Sequence, residues 1–328
     1  MIQLQEKRLT TEKLSEMSAR EAVTEALIDI ARTNENIVVL TADLGSTITV
    51  NKFAKHYPSR YFNIGIAEQN LMGVAAGLAS EGLIPFTATF AVYASMRACE
   101  LVRNAIAYTK ANVKIIASHA GITVGKNGTT HQALEDIAIM RAIPNMSVVV
   151  PADSIETYQA VKAIADYNGP VYIRLGRPKF PKVSKNDYVF QLGKAVVIKD
   201  GKDLTLVATG IMVSMCLEAI RILKMDGIDV RLINIHTIKP LDRETVINCA
   251  VETRAIVTVE EHNIVGGLGS AVSEVVSGSC PVPIEYVGIK DTFAESGDPD
   301  ELMKKNGLTV EDIVLASKRV LLRKTEML

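Results

Sequence analysis

Phe62-Asn63-Ile64-Gly65-Ile66-Ala67-Glu68-Gln69-Asn70 runs directly into Leu71-Met72-Gly73-Val74-Ala75-Ala76-Gly77-Leu78-Ala79. One carboxylate, Glu68, therefore stands at the mouth of a helix built otherwise of small and apolar residues. Desolvating a carboxylate is costly. Glu68 must either stay at the solvated helix end, where the dipole favours it, or find a buried partner. Two readings are open on these residues alone: a carboxyl meeting a heterocyclic nitrogen of a cofactor, or an acidic residue held at a helix N-terminus.

Outward from this helix the pattern alternates. Ser18 with Glu21 forms a capping box opening a helix to about residue 32, and 37–40 reads as a buried strand. The Glu68 helix runs to about 82. Strand 83–89, helix 93–111, strand 113–117, helix 134–141, strand 147–150, helix 154–166 and strand 171–174 follow. Arg177-Pro178-Lys179-Phe180-Pro181-Lys182-Val183-Ser184-Lys185 breaks the rhythm and reads as an interdomain linker. Beyond it come strand 204–208, helix 213–225, strand 229–233, helix 243–251 and strand 255–259. Gly266-Gly267-Leu268-Gly269 lacks a full dinucleotide fingerprint and reads as a tight turn into another helix. Apolar strands separated by helices predict an α/β protein with two consecutive domains, 1–185 and 186–328, each a mostly parallel sheet covered on both faces.

The 328 residues are 48% hydrophobic and 22% charged, enough for two sizeable cores. A formal net charge of −1 gives no general field for nucleic acid or acidic membranes. The uncharged stretch 82–96 contains Pro85 and is too short to span a bilayer. The N-terminus carries Glu6, Lys7, Arg8, Glu12 and Lys13 rather than a signal peptide's apolar core. Cys99, Cys216, Cys249 and Cys280 show no paired metal-ligand spacing, so reduced thiols in a cytoplasmic enzyme are expected.

Ser118-His119-Ala120-Gly121-Ile122-Thr123-Val124-Gly125-Lys126-Asn127-Gly128-Thr129-Thr130-His131-Gln132 is too long for a simple turn, and long loops at strand ends are where sites are built. Taken with Gly65-Ile66-Ala67-Glu68 and the segment Thr89-Phe90-Ala91-Val92-Tyr93-Ala94-Ser95-Met96, it resembles the pyrimidine-binding part of the transketolase family of thiamine diphosphate enzymes. The resemblance covers essentially the whole chain but only the second half of a full-length transketolase.

This resemblance implies roles. Glu68 would share a proton with the ring nitrogen of the cofactor's aminopyrimidine, a sharing that apolar surroundings favour. Phe90 would stack on the pyrimidine with Tyr93 beside it. Met96 stands where an aromatic residue is common, and residues 96 and 97 both fall near that helical face. Asp43 and Leu44, at a strand's carboxyl end, would lie near the cofactor; on its residues alone Asp43 also reads as a loop cap. Arg20, His119, Arg177 and a hydroxyl from Ser46 or Thr47 match positions that bind a sugar's terminal phosphate. His131 would reach the ketol hydroxyls; with Glu68 and His119 it completes the expected catalytic set. One departure stands out. Asn127 replaces a usual acidic residue and Lys126 adds a positive neighbour, which opens the possibility of a modified or sulfonated ketose. His56, His236 and His262 are assigned no role.

The chain contains no Gly-Asp-Gly followed by asparagine, the motif that supplies metal ligands for the diphosphate in this superfamily. A separate N-terminal subunit is therefore expected to hold that end with a divalent metal, magnesium or calcium, in an α2β2 assembly of carbohydrate metabolism such as the pentose phosphate pathway, and no metal ligand is expected in this chain. The expected reaction is transfer of a two-carbon ketol unit between sugars, commonly phosphorylated. The alternatives are a 1-deoxyxylulose-5-phosphate synthase-like chain, whose arginine near Met96 would be one step from Arg97, a 2-oxo-acid dehydrogenase beta-like subunit, or a non-catalytic structural subunit. The C-terminal domain is expected to pack and to make no cofactor contact.

Overall fold

Ser18 and Glu21 cap each other as predicted: the Ser18 hydroxyl accepts from Glu21 N–H, while Ser18 N–H donates to Glu21 Oε2 at 2.9 Å, opening the helix Ala19–Ile30. A computed structural model describes residues 10–185 and 187–326; Glu6, Lys7 and Arg8 lie outside the described residues.

The strands are β1 (Ile37–Thr41), β2 (Tyr61–Asn63), β3 (Ile84–Phe90), β4 (Lys114–Ser118), β5 (Ser147–Val149), β6 (Val171–Arg174), β7 (Val196–Lys199), β8 (Leu204–Ala208), β9 (Val230–Asn234), β10 (Thr237–Lys239), β11 (Ile256–Asn263) and β12 (Ile284–Ile289). They form a seven-stranded sheet ordered β10-β5-β6-β4-β3-β1-β2 and a five-stranded sheet ordered β12-β11-β8-β9-β7. All pairings are parallel except β10 against β5 and β7 against β9. The two mostly parallel sheets are the expected fold class.

Alternation along the strands places a core on each face. Val38 and Leu40 of β1 enter one cluster, Ile37 and Val39 the other. The first cluster also contains Val207, Ile233 and Ile256, so one hydrophobic layer is shared between the sheets. A third cluster buries the far face of the second sheet under the helices Met212–Met225 and Val310–Glu326.

Several elements differ from the sequence reading. The chain at 93–107 is not a plain α-helix: π-turns span Tyr93–Arg97 and Val102–Ala107. Strands β2, β7, β10 and β12 and the helices Pro299–Lys305 and Val310–Glu326 are not predicted, although Val310, Ile313, Val314, Val320 and Leu321 give the last of these an apolar stripe at helical spacing. The segment 177–185 is fastened rather than free, because Asp153 Oδ2 accepts from Val183 N–H at 2.8 Å and Ser184 N–H at 2.6 Å. The glycine turn at 266–269 does open a helix, Leu268–Ser277, whose first N–H groups donate to Glu260 at 2.7 and 2.8 Å. A Cβ at Gly267 would overlap that carboxylate, so the turn needs glycine there.

Candidate active site

Four neighbouring strands, β6-β4-β3-β1, deliver site residues at their carboxyl ends, where parallel sheets bind ligands. Phe90 ends β3, His119 follows β4, Asp43 lies just beyond β1, and Arg177 lies just beyond β6. Asn63, ending β2, ties the first of these loops to the next. Its Oδ1 accepts from Asp43 N–H at 3.0 Å and Gly65 N–H at 3.1 Å, and its amide donates to Asp43 Oδ1 at 3.0 Å. Gly65 turns at φ +81°, a left-handed conformation suited to glycine, and the chain then enters the helix Glu68–Ser80.

Glu68 is 1% exposed, so it is not a solvated helix-end acid. Its partner is Arg97, whose Nη1 donates to Oε2 at 2.9 Å. Among the described residues Oε1 receives no hydrogen bond. The π-turn explains the partner: Ala98 N–H reaches back five residues to Tyr93 O at 3.0 Å, and the widened turn swings position 97 over position 93. The Arg97 guanidinium lies 4.3 Å from the centre of the Tyr93 ring. Met96 is exposed instead. Arg97 has no role in the transketolase resemblance; its signals are a cation directly after the face Phe90–Tyr93–Met96 and its place one step from a synthase-type arginine.

Behind the carboxylate the rings gather. Phe90 and Tyr93 stack with centroids 5.8 Å apart and planes 20° from parallel, while His119 stacks on Phe90 at 4.2 Å. His131 stands edge-on to both, at 6.1 and 5.8 Å. Its Nε2 is 3.0 Å from the Tyr93 hydroxyl and its Nδ1 is 2.9 Å from Thr130 Oγ1. His119 is buried, adopts φ +57°, and places Nδ1 2.9 Å from Ser118 Oγ. Burial, then the charges of Arg20 and Arg177, push its imidazole down to about 3, so the ring is neutral at ordinary pH.

Arg20 and Arg177 come together from opposite ends of the domain. Arg20 donates to Thr47 O at 2.7 Å and to Arg177 O at 3.2 Å, and its buried Nε has no hydrogen-bond partner among the described residues. Arg177 Nη1 donates to Val124 O at 2.7 Å and Asn127 Oδ1 at 3.2 Å. Among the described residues neither guanidinium pairs with a carboxylate. Burial and the neighbouring Arg177 hold Arg20 below its ordinary value, with the Glu21 carboxylate opposing the shift. Ser46 and Thr47 are exposed in the same loop, Thr47 meeting Arg20 through its carbonyl; Ser46 Oγ accepts a long bond from Asn51 at 3.5 Å, and Leu44 packs partly into the core.

Residues 15–182 match the transketolase pyrimidine-binding domain family, and residues 193–313 match the transketolase C-terminal domain family. The chain belongs to the transketolase family. A Methanocaldococcus jannaschii chain described as a transketolase C-terminal section is 46% identical, covering 92% of this chain and 95% of its own length. A 6-deoxy-6-sulfo-D-fructose transketolase subunit of Clostridium sp. (strain MSTE9) is 43% identical over 95% of this chain and 97% of its own. A solved split-gene transketolase, an inactive beta4 tetramer, superposes with a TM-score of 0.89 at 50% identity, covering 94% and 99% of the two chains. This transketolase chain is thus similar along nearly its whole length to C-terminal subunits of split transketolases. None of its described helices is long and apolar enough to cross a membrane.

Proposed function

We propose that this chain is the pyrimidine-binding subunit of a two-chain, thiamine diphosphate-dependent transketolase, moving a two-carbon ketol unit from a ketose with a terminal anion to an aldose. Glu68 carries the reading. A buried carboxylate with one oxygen on Arg97 and, among the described residues, no hydrogen bond to the other, set near the nearly parallel Phe90 and Tyr93 rings, suits a flat heterocycle bearing a ring nitrogen. When bound, thiamine diphosphate would supply the carbanion chemistry that cleaves and forms the carbon–carbon bond.

The chain's own groups divide the remaining work. Glu68 holds or shares a proton at the ring nitrogen, and Phe90 and Tyr93 give the ring its apolar wall. Neutral His119 can exchange hydrogen bonds with sugar hydroxyls without a charge change, and His131, oriented by Tyr93 and Thr130, faces the same space. Arg20 and Arg177 receive the terminal phosphate or sulfonate. Asn127 Oδ1 already accepts from Arg177, leaving the amide group to donate to the sugar, where an acidic residue could not. That exchange, with Lys126 beside it, supports a modified ketose, and the sulfofructose-type relative supports a sulfonated one.

The diphosphate end, with magnesium or calcium, falls to an N-terminal partner subunit in an α2β2 assembly, and the domains divide near residue 185. Co-expression with that partner followed by ketol-transfer assays on phosphorylated and sulfonated ketoses tests the reading. Glu68→Gln should lower kcat by about 10²–10⁴-fold while the complex assembles normally. Unchanged activity would favour a structural subunit and overturn the proposal.

A further inference from the structure

The loop 119–132 carries His119, Asn127 and His131, yet its conformation is held to a large extent from the second sheet. At its start, the buried Glu261 of β11 accepts from Thr123 N–H at 2.7 Å. Gly121, at φ +82°, lies so close that a Cβ would overlap the same carboxylate. At its end, three consecutive residues after β12 grip the backbone and side chains around the substrate residues. Ser296 Oγ donates to Lys126 O at 2.6 Å, Gln132 Nε2 donates to Glu295 O at 3.0 Å, and Thr129 Oγ1 donates to Ala294 O. Pro299 packs against Gly125, where a Cβ would lie 3.1 Å from its Cγ. Arg174 fastens both layers from beneath, donating to Ala133 O at 3.1 Å and to Glu261 O at 3.0 Å.

Two sets of attachments, one on β11 and one just after β12, are more than the domain packing expected from the sequence. A loop with glycines at 121, 125 and 128, all at positive φ, has little conformational preference of its own. Its working geometry must be imposed by contacts.

We propose that Glu261 and Ser296 are positioning residues: the C-terminal domain sets the reach of Asn127 and His131 toward the sugar. This rests on the reading that these two residues meet the ketose. Neither Glu261 nor Ser296 itself touches substrate. Loss of either contact should loosen the loop around Asn127 and His131 while leaving the Glu68–Arg97 pair, which neither contact touches, in place.

The test uses the assembled two-chain enzyme with Glu261→Ala, Glu261→Gln and Ser296→Ala. Glu261→Ala and Ser296→Ala should each raise the ketose KM by about fivefold or more, the scale of one lost hydrogen bond. Amide hydrogen exchange across 119–132 should accelerate, with thiamine diphosphate affinity and subunit assembly unchanged. Glu261→Gln keeps an oxygen for Thr123 N–H and should recover to within about twofold of wild type. Ordinary KM and ordinary exchange in Ser296→Ala, an exposed position at which folding is safe, would overturn the proposal, as would a fall in kcat alone. A fully active Glu68→Gln would instead overturn the parent reading, while the exchange result would still report on the clamp.

Discussion

Arg97 Nη1 donates to Glu68 Oε2 at 2.9 Å, so a guanidinium that is 49% exposed serves as counter-ion to a carboxylate that is 1% exposed. The asymmetry matters. Removing Arg97 strands a buried charge, whereas removing Glu68 frees a side chain that water already solvates. Because half of Arg97 is screened by solvent, the coupling should be about 1 kcal/mol, well below that of a fully buried pair. A double-mutant cycle of Arg97→Met and Glu68→Gln, read by urea unfolding, checks this. Arg97→Met should destabilise, and adding Glu68→Gln should remove most of the loss.

His119 makes a pH prediction with a definite sign. Its folded-state value is about 3 against an ordinary 6.5, so the folded protein prefers the neutral ring. The stability this contributes is fully present above about pH 6.5 and is lost progressively as pH falls toward 3. Comparing wild type with His119→Asn by chemical denaturation across pH 4–8 isolates the effect. The stability difference should be constant above about pH 7 and shift against wild type in acid.

The paired guanidiniums predict a substrate signature. Arg20→Met should raise the KM for a ketose with a terminal phosphate or sulfonate by about ten- to hundredfold, leaving an uncharged ketose little affected. Arg20→Lys should restore part of the loss, because an ammonium keeps the charge but not the planar fork. Steady-state kinetics on matched charged and neutral donors decides it.

At the junction between the sheets, Arg174 Nε lies 2.8 Å from Asp136 Oδ2, both buried, and the Tyr172 hydroxyl donates to the same oxygen at 2.8 Å. Arg174→Met should cost about 3–5 kcal/mol by leaving Asp136 charged and unpaired. The double variant Arg174→Met with Asp136→Leu should recover much of that loss in thermal or urea unfolding.

Sequence by itself determined whatever depends on neighbours along the chain. The capping box at Ser18 and Glu21 started its helix, apolar runs such as Val171–Arg174 and Leu204–Ala208 made buried strands, and their alternation with helices required parallel sheets. It also singled out Glu68, since an acid at the head of an apolar helix is conspicuous without any structure. Tertiary structure decided what joins residues distant in sequence. β7 and β10 each run only three or four residues and owe their antiparallel places to neighbouring sheet edges rather than to any pattern of their own. Arg97 reaches Glu68 across 29 positions through a π-turn that no periodicity announces. The grip of Glu261 and Ser296 on the histidine loop spans more than 130 positions, and depends on how two sheets pack across one shared core.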